Sequence, residues 1–328
     1  MSAEIRNLPD IEDVADAAKR LTGVATRTPL LNFPVLDERL GGRVFLKAEI
    51  FQRTGSFKFR GAFNKLSSIA PERRPAGVVA FSSGNHAQGV AAAARLLAMP
   101  ALIVMPKDAP KAKRERTAEL GAEVVLYDRE KEDREAIARS IVDQRKATLV
   151  PPFDDPMIIA GQGTAGREIM EDLGKVGLKP DLVVIQASGG GLAAGISLAV
   201  KAQAPDARIY IAEPEGFDDT VRSFRSGRRE SNARMSGSIC DALMSQMPGE
   251  ITFAINRNLS GDGVVASEQE VADAMAYAFR ELKLVVEPGG VIGLAALLSG
   301  KLDVKGKVAV AVLSGGNVDS TLFNRLIA

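Results

Sequence analysis

Lys58 is the residue on which chemistry can be built. It sits in Arg53-Thr54-Gly55-Ser56-Phe57-Lys58-Phe59-Arg60-Gly61-Ala62, with an aromatic residue on either side. The alternating apolar run Val44 to Glu49 predicts a strand before it, and the spacing from Phe57 to Leu66 predicts a helix after it. Thr54, Gly55 and Ser56 then make a strand-to-helix turn with Thr54 or Ser56 as its N-cap. A lysine held there between two rings is partly desolvated, which disfavours its charged form. The neutral amine is a nucleophile suited to Schiff-base formation with a carbonyl, of which the aldehyde of pyridoxal phosphate (PLP) is an example. Alone, the segment fits as well a lysine lying along its helix with its head in water.

Three further turns, each after a predicted strand, carry polar or glycine-rich clusters. Ser82-Ser83-Gly84-Asn85-His86 offers hydroxyls, an amide and helix N-terminal N–H groups, a set suited to a carboxylate. His86 is the single histidine, and no nucleophile motif accompanies it, which argues against a Ser-His-Asp triad. Ser188-Gly189-Gly190-Gly191-Leu192 lets backbone N–H groups come close to a phosphate, but lacks the lysine of a P-loop and the spacing of a dinucleotide fingerprint. Ser314-Gly315-Gly316-Asn317 closes the last strong strand, and its Ser314 hydroxyl is able to donate to an aromatic nitrogen. Glu213-Pro214-Glu215-Gly216-Phe217-Asp218-Asp219 gathers carboxylates, which read either as a solvated acidic loop or as hard oxygen ligands for a divalent cation.

The elements that position these turns alternate strand and helix. Gly77–Phe81, Ala101–Met105, Glu123–Tyr127 and Thr148–Val150 read as strands between helices Asn85–Leu97, Lys111–Leu120 and Asp133–Gln144. After the proline-rich interruption Pro151 to Pro156 the alternation resumes with helix Ile158–Leu173, strand Leu182–Gln186, helix Leu192–Gln203 and strand Arg208–Ala212. The pattern weakens between Arg222 and Asn258, then returns with helices Glu268–Glu281 and Gly289–Leu298 and strand Lys307–Leu313. This predicts an α/β fold of two domains, each an open, mostly parallel sheet flanked by helices. Residues 71–153 form a small domain inserted into a large one made of 1–70 and 154–328, with the active site in the cleft between them.

With 42 lysines and arginines against 41 aspartates and glutamates, the chain has no overall electrostatic case for nucleic acid or an anionic membrane, and a small ligand is expected. One cysteine, Cys240, excludes an internal disulfide, and no apolar run approaches membrane-spanning length, so a cytoplasmic protein is expected.

In this order the motifs resemble the serine/threonine dehydratase and serine racemase branch of the fold type II PLP enzymes, the tryptophan synthase β-like group. The resemblance runs from Thr28-Pro29-Leu30 to Asn317 and is most specific at Gly55 to Ala62, Ser82 to His86 and Gly161-Gln162-Gly163-Thr164. It implies that Lys58 is the Schiff-base lysine and later the base that removes the Cα proton. It implies that Phe57 and Glu287 lie against the cofactor, that Ser188, Gly189, Gly190, Gly191 and Leu192 hold its phosphate, and that Asn85 bonds the ring oxygen and Ser314 the pyridine nitrogen. Ser82, Ser83, Asn85 and His86 would grip the substrate carboxylate, and Ser83 aligns with the second acid/base of racemases. Glu213, Asp219 and the Phe217 carbonyl fall on a divalent-metal site, for Mg²⁺ or else Ca²⁺ or Mn²⁺. Two departures bear on substrate choice: Cys240-Asp241-Ala242 replaces Ala-Asp-Gly, and Glu287-Pro288-Gly289-Gly290 carries a glycine where relatives have alanine, serine or threonine.

The implied activity is a PLP-dependent dehydratase (ammonia-lyase) turning a β-hydroxy amino acid, by default L-threonine or L-serine, into a 2-oxo acid and ammonia. Alternatives are a 3-hydroxyaspartate substrate, with Arg134 as the cation for its extra carboxylate, serine racemase activity, and a non-catalytic PLP- or amino-acid-binding protein. The resemblance also implies a homodimer. The chain ending soon after Ser314 predicts no C-terminal regulatory domain and no inhibition by isoleucine.

Overall fold

The computed structural model describes residues 8–82, 84–109, 111–128 and 130–328, with the exception of the Ala112 side chain. Its strands are β1 (Leu30–Asn32), β2 (Arg43–Ala48), β3 (Val78–Phe81), β4 (Ala101–Pro106), β5 (Glu123–Tyr127), β6 (Thr148–Leu149), β7 (Leu182–Gln186), β8 (Arg208–Pro214), β9 (Asp262–Ala266) and β10 (Val308–Leu313). The first helices are α1 (Ile11–Leu21), α2 (Pro34–Leu40), α3 (Lys58–Ser67), α4 (Asn85–Leu96), α5 (Lys111–Glu119) and α6 (Arg134–Arg145). They are followed by α7 (Pro156–Lys175), α8 (Gly191–Gln203), α9 (Asp219–Ser226), α10 (Glu250–Leu259), α11 (Glu268–Arg280), α12 (Pro288–Leu298) and α13 (Ser320–Ile327).

Two sheets result. The larger runs β1-β2-β10-β7-β8-β9, parallel throughout except for β1, and the smaller runs β5-β4-β3-β6, all parallel. Parallel strands covered on both faces read as unbroken apolar runs, and every residue of β3, β4 and β7 is buried. One face of the large sheet packs on α11 and α12 through Val184, Met275, Ile292 and Leu294, the other on α7 and α8 through Val183, Ile169, Ile196 and Val310. The small sheet lies between α3 and α4 on one side and α6 on the other. No helix among the described residues is long and apolar enough to cross a membrane.

The register brings the motifs together. β2 and β10 run in parallel with Val308 beside Arg43 and Leu313 beside Ala48, so the turn leading to Lys58 and the turn at Ser314 emerge side by side. Phe57 N donates to the Ser314 carbonyl at 3.0 Å, and Ser56 bridges to Gly315. The two chain crossings between the sheets also touch: a Cβ on Gly161 of α7 would lie 2.6 Å from the Gly61 Cα of α3, so glycine at both positions sets how closely these helices cross.

Several expectations are corrected. The weakly patterned stretch after Arg222 contains α10, and β9 and α2 also lie outside the predicted elements. Neither Thr54 nor Ser56 caps α3: their hydroxyls are buried without a partner, and α3 has no side-chain cap. The turn instead contains Thr54 at φ 63° and Gly55 at φ 70°, and a Cβ on Gly55 would collide with Asn317.

Candidate active site

A cleft of about 1070 Å³, counting the part open to solvent, lies between the carboxyl ends of the two sheets. Lys58, first residue of α3, enters it from one wall and donates from Nζ to the Pro152 carbonyl at 2.7 Å. Burial pushes its ammonium down to about 8, so the neutral amine is far more accessible near physiological pH than for an ordinary lysine. Of its two aromatic neighbours in sequence, one stays beside it. The Phe57 centroid is 5.2 Å from Nζ, whereas Phe59 is fully buried and stacks on Phe63 at 5.8 Å.

Opposite lies the glycine turn that opens α8. Ser188, Gly189, Gly190, Gly191 and Leu192 all line the cleft, and Ser188 Oγ is 2.5 Å from Ser245 Oγ. The Phe153 ring fits against Gly189 so closely that a Cβ there would fall 2.4 Å from it. At the floor, Ser314 and Glu287 are nearly buried. Glu287 Oε1 accepts from Asn85 Nδ2 at 2.6 Å, and Asn85 Oδ1 accepts from Asn317 Nδ2 at 2.8 Å, so the Asn85 amide spans from α4 to two segments of the large sheet. Burial, reinforced by Asp241, lifts the Glu287 carboxyl to about 7.

Ser82 and His86 also line the cleft, while Ser83 lies outside the described residues. His86 is buried with Nε2 3.0 Å from the Val150 carbonyl, and burial, with Lys58 adding to it, pushes the imidazole down to about 3. Arg134 reaches the cleft from the first position of α6, its guanidinium 5.4 Å from the Phe81 ring centroid. Lys113 of α5 pairs across the cleft mouth with Asp241 at 2.5 Å. Ala242 is at the wall, and Gly290 packs so tightly that a Cβ would lie 2.4 Å from the Gly315 carbonyl oxygen.

Glu213, Phe217 and Asp219 form a separate group beyond β8. Glu213 accepts from the N–H groups of Thr220 and Val221, and Asp219 Oδ1 accepts from Asn232 at 2.6 Å. Asp219 Oδ2 is buried without a partner. Burial raises both carboxyls, Glu213 further through Asp219, and Asp219 reaches about 7. Among the described residues no three histidine, cysteine or carboxylate side chains are placed so as to hold a metal ion together.

One group escaped the sequence reading. Arg60, on the face of α3 turned away from Lys58, is fully buried and forms paired hydrogen bonds at 2.8 Å to Glu49 and to Glu168 of α7. Buried Lys47 joins Glu168 at 2.5 Å, so two cations and two carboxylates balance. Burial alone would favour neutral arginine, but Glu49 and Glu168 override it and hold Arg60 more firmly protonated than usual. No local pattern marks such a network, because its members are up to 121 residues apart.

Does PLP fit? The readily deprotonated amine of Lys58, a glycine turn of cradle shape and a neutral hydroxyl at Ser314 converge on one cleft, which is the donor set that an aldehyde bearing a phosphate and a ring nitrogen requires. The family model described as pyridoxal-phosphate dependent enzyme matches residues 21–315. An L-threo-3-hydroxyaspartate ammonia-lyase of Pseudomonas sp is 46% identical over 98% of this chain and 99% of its own. The enzyme of that name from Saccharomyces cerevisiae is 42% identical over 98% of this chain and 97% of its own. The crystal structure of a T.th. threonine deaminase superposes with a TM-score of 0.89 at 41% identity, covering 95% of this chain and 99% of that one. The chain therefore belongs to the pyridoxal-phosphate dependent enzymes of fold type II, in the branch of threonine dehydratases, serine racemases and hydroxyaspartate ammonia-lyases, and is a PLP-dependent ammonia-lyase of β-hydroxy amino acids.

Proposed function

We propose that the substrate is a 3-hydroxyaspartate, converted to oxaloacetate and ammonia, which places the alternative ahead of the threonine or serine default. The observation that carries it is Arg134. It is a half-buried cation lining the cleft, no carboxylate among the described residues pairs with it, and it stands at a helix N-terminus where the dipole disfavours positive charge. An anion arriving in the cleft relieves both conditions. The two hydroxyaspartate ammonia-lyase relatives support the same reading.

In this reading Lys58 supplies the amine for the cofactor aldehyde, and Gly189 to Leu192 hold the phosphate. Asn85 would meet the ring oxygen and Ser314 the ring nitrogen, with Phe57 and Glu287 bordering the ring. Bound there, the cofactor supplies the sink for carbanion charge at Cα. Lys58, whose ammonium burial makes easier to deprotonate than usual, would take the Cα proton. Ser82, Asn85 and the backbone N–H of His86 would hold the α-carboxylate and Arg134 the distal one. The β-hydroxyl would leave as water, taking up the proton that Lys58 removed from Cα, and one water would then hydrolyse the enamine, through its imine tautomer, to the oxo acid and ammonia. Residues 71–153 act as a domain that closes on the substrate and excludes water.

Glu213, Asp219 and the Phe217 carbonyl take a divalent cation such as Mg²⁺, a role supported by the orphaned Asp219 oxygen and two carboxyls that resist ionisation without a counter-charge. The chain forms a homodimer, for which the exposed Phe51 and Val285 supply apolar surface; a single-subunit mass in sedimentation would count against it. The deciding experiment follows oxo acid and ammonia from L-threonine, L-serine and the 3-hydroxyaspartate stereoisomers. Oxaloacetate formed in strong preference supports the proposal, and preferred oxobutanoate or pyruvate returns the assignment to threonine or serine.

A further inference from the structure

Four backbone donors in the cleft have no acceptor among the described residues, and the structure shows what aims two of them. Among the described residues nothing accepts from the backbone N–H groups of Gly189, Gly190, Gly191 or Leu192. The carbonyls of Gly189 and Gly190, by contrast, are engaged, each with one bond from a side chain of α10. Gly189 O accepts from Thr252 Oγ1 at 2.6 Å and from Gly249 N at 3.3 Å. Gly190 O accepts from Asn256 Nδ2 at 3.1 Å and from Ala194 N at 2.9 Å.

Thr252 and Asn256 are four residues apart on α10, hence on one face of it, and both are buried. In a planar trans peptide a carbonyl and the following N–H point in opposite directions. Drawing the Gly189 carbonyl toward α10 therefore turns the Gly190 N–H away from α10, and drawing the Gly190 carbonyl does the same to the Gly191 N–H. That opposite side is the cleft, which the three glycines line and which neither Thr252 nor Asn256 reaches. Gly190 makes the reversal possible with φ 89°, and it lies so close to α10 that a Cβ would be 2.8 Å from Asn256 Nδ2.

The helix that does the pulling is fixed in turn. Asp154 caps α10 from outside, accepting from Glu250, Ile251 and Thr252 N–H groups at 2.9, 3.0 and 3.2 Å. Asp154 stands two residues after Pro152, whose carbonyl holds Lys58. One short segment thus sets both the amine and, through α10, the glycine turn.

We propose that Thr252 and Asn256 are positioning residues of the cofactor site, which never touch the ligand but orient the Gly190 and Gly191 N–H groups toward its phosphate. The inference rests on the reading that Gly189 to Leu192 hold that phosphate. It predicts an effect confined to the phosphate end.

The test compares PLP with pyridoxal, which has the same aldehyde and no phosphate, in binding to cofactor-stripped full-length protein. Uptake is read by absorbance and by borohydride trapping on Lys58. Thr252→Val and Asn256→Leu, each matched to the parent by circular dichroism, are expected to weaken PLP binding about tenfold apiece, the loss of one hydrogen bond's worth of orientation, with pyridoxal unchanged. Thr252→Ser restores PLP binding. Should the leucine variant not fold, Asn256→Asp keeps the size, sets an acceptor against the Gly190 carbonyl and must lose PLP selectively. Unchanged PLP affinity, or equal loss of PLP and pyridoxal, overturns the proposal. If the parent itself does not prefer PLP to pyridoxal, it is the phosphate-loop reading that falls instead.

Discussion

Arg134→Met removes the guanidinium from the cleft while keeping an unbranched side chain of similar reach. Two unit charges about 4 Å apart interact by about 4 kcal/mol at an effective dielectric of about 20. Arg134 is half-buried, so solvent takes a good part of that, and about 2 kcal/mol remains for a distal carboxylate held beside it. The corresponding loss is about 30-fold in kcat/KM for 3-hydroxyaspartate. L-threonine, with a methyl where the second carboxylate would be, should be turned over at close to the parental rate or faster. Stability moves little, because two terms of opposite sign nearly cancel. Taking a cation off a helix N-terminus gains about 0.3–1 kcal/mol, and losing the contact with the Phe81 ring costs about 0.5–1 kcal/mol. Steady-state kinetics with both substrates at fixed ionic strength, alongside a thermal melt, reads all three quantities. Equal losses with both substrates, or undiminished activity on the dicarboxylic one, would refute the role given to Arg134.

Other outcomes follow from the same site. Lys58 has its half-neutral point near 8 instead of its ordinary 10.5, so PLP uptake by cofactor-free protein should accelerate with pH with its half-rise near 8, as stopped-flow absorbance would show; a half-rise near 10 would mean that burial does not tune this amine. Glu287 is harder to ionise folded than unfolded, so its contribution to stability is intact below 4.5 and is lost as pH rises through about 7. Glu287→Gln in cofactor-free protein should accordingly match the parent in acid and exceed it by up to about 3 kcal/mol above neutrality in denaturant titrations, and an equal gain at every pH would point elsewhere. Adding Mg²⁺ or Ca²⁺ should raise the melting temperature and a chelator reverse it, with no shift in Asp219→Asn; the same shift in that variant would remove Asp219 from the metal site.

Much of this architecture is written locally. Buried parallel strands leave unbroken apolar runs such as Leu182–Gln186 and Ala101–Pro106, and each glycine or serine cluster follows one of them, so the cleft-lining turns were legible. Helix α10 was not, for a physical reason: its N-terminal N–H groups are satisfied by Asp154, 96 to 98 residues away, and its own N-cap Gly249 gives no signal. The Arg60 network stayed hidden likewise, since Glu49 and Glu168 come from different elements. Lys58 was read correctly as desolvated, but the helical turn sends Phe59 into the core and leaves only Phe57 beside the amine. Thr54 and Ser56 have the right chemistry for caps and the wrong backbone, because the left-handed pair Thr54-Gly55 redirects the chain before α3 begins.

The chain's one histidine has a practical value beyond its place in the cleft wall. His86 is buried and pushed down to about 3, so its imidazole keeps one charge state at every pH at which the fold would ordinarily be studied. A magnetic resonance spectrum of protein without a histidine tag should therefore contain a single set of imidazole signals. Those signals would move when cofactor, substrate or inhibitor enters the cleft, and stay still when only the buffer changes. The sequence thus carries its own spectroscopic reporter at the wall of the active site, usable without a label or a substitution.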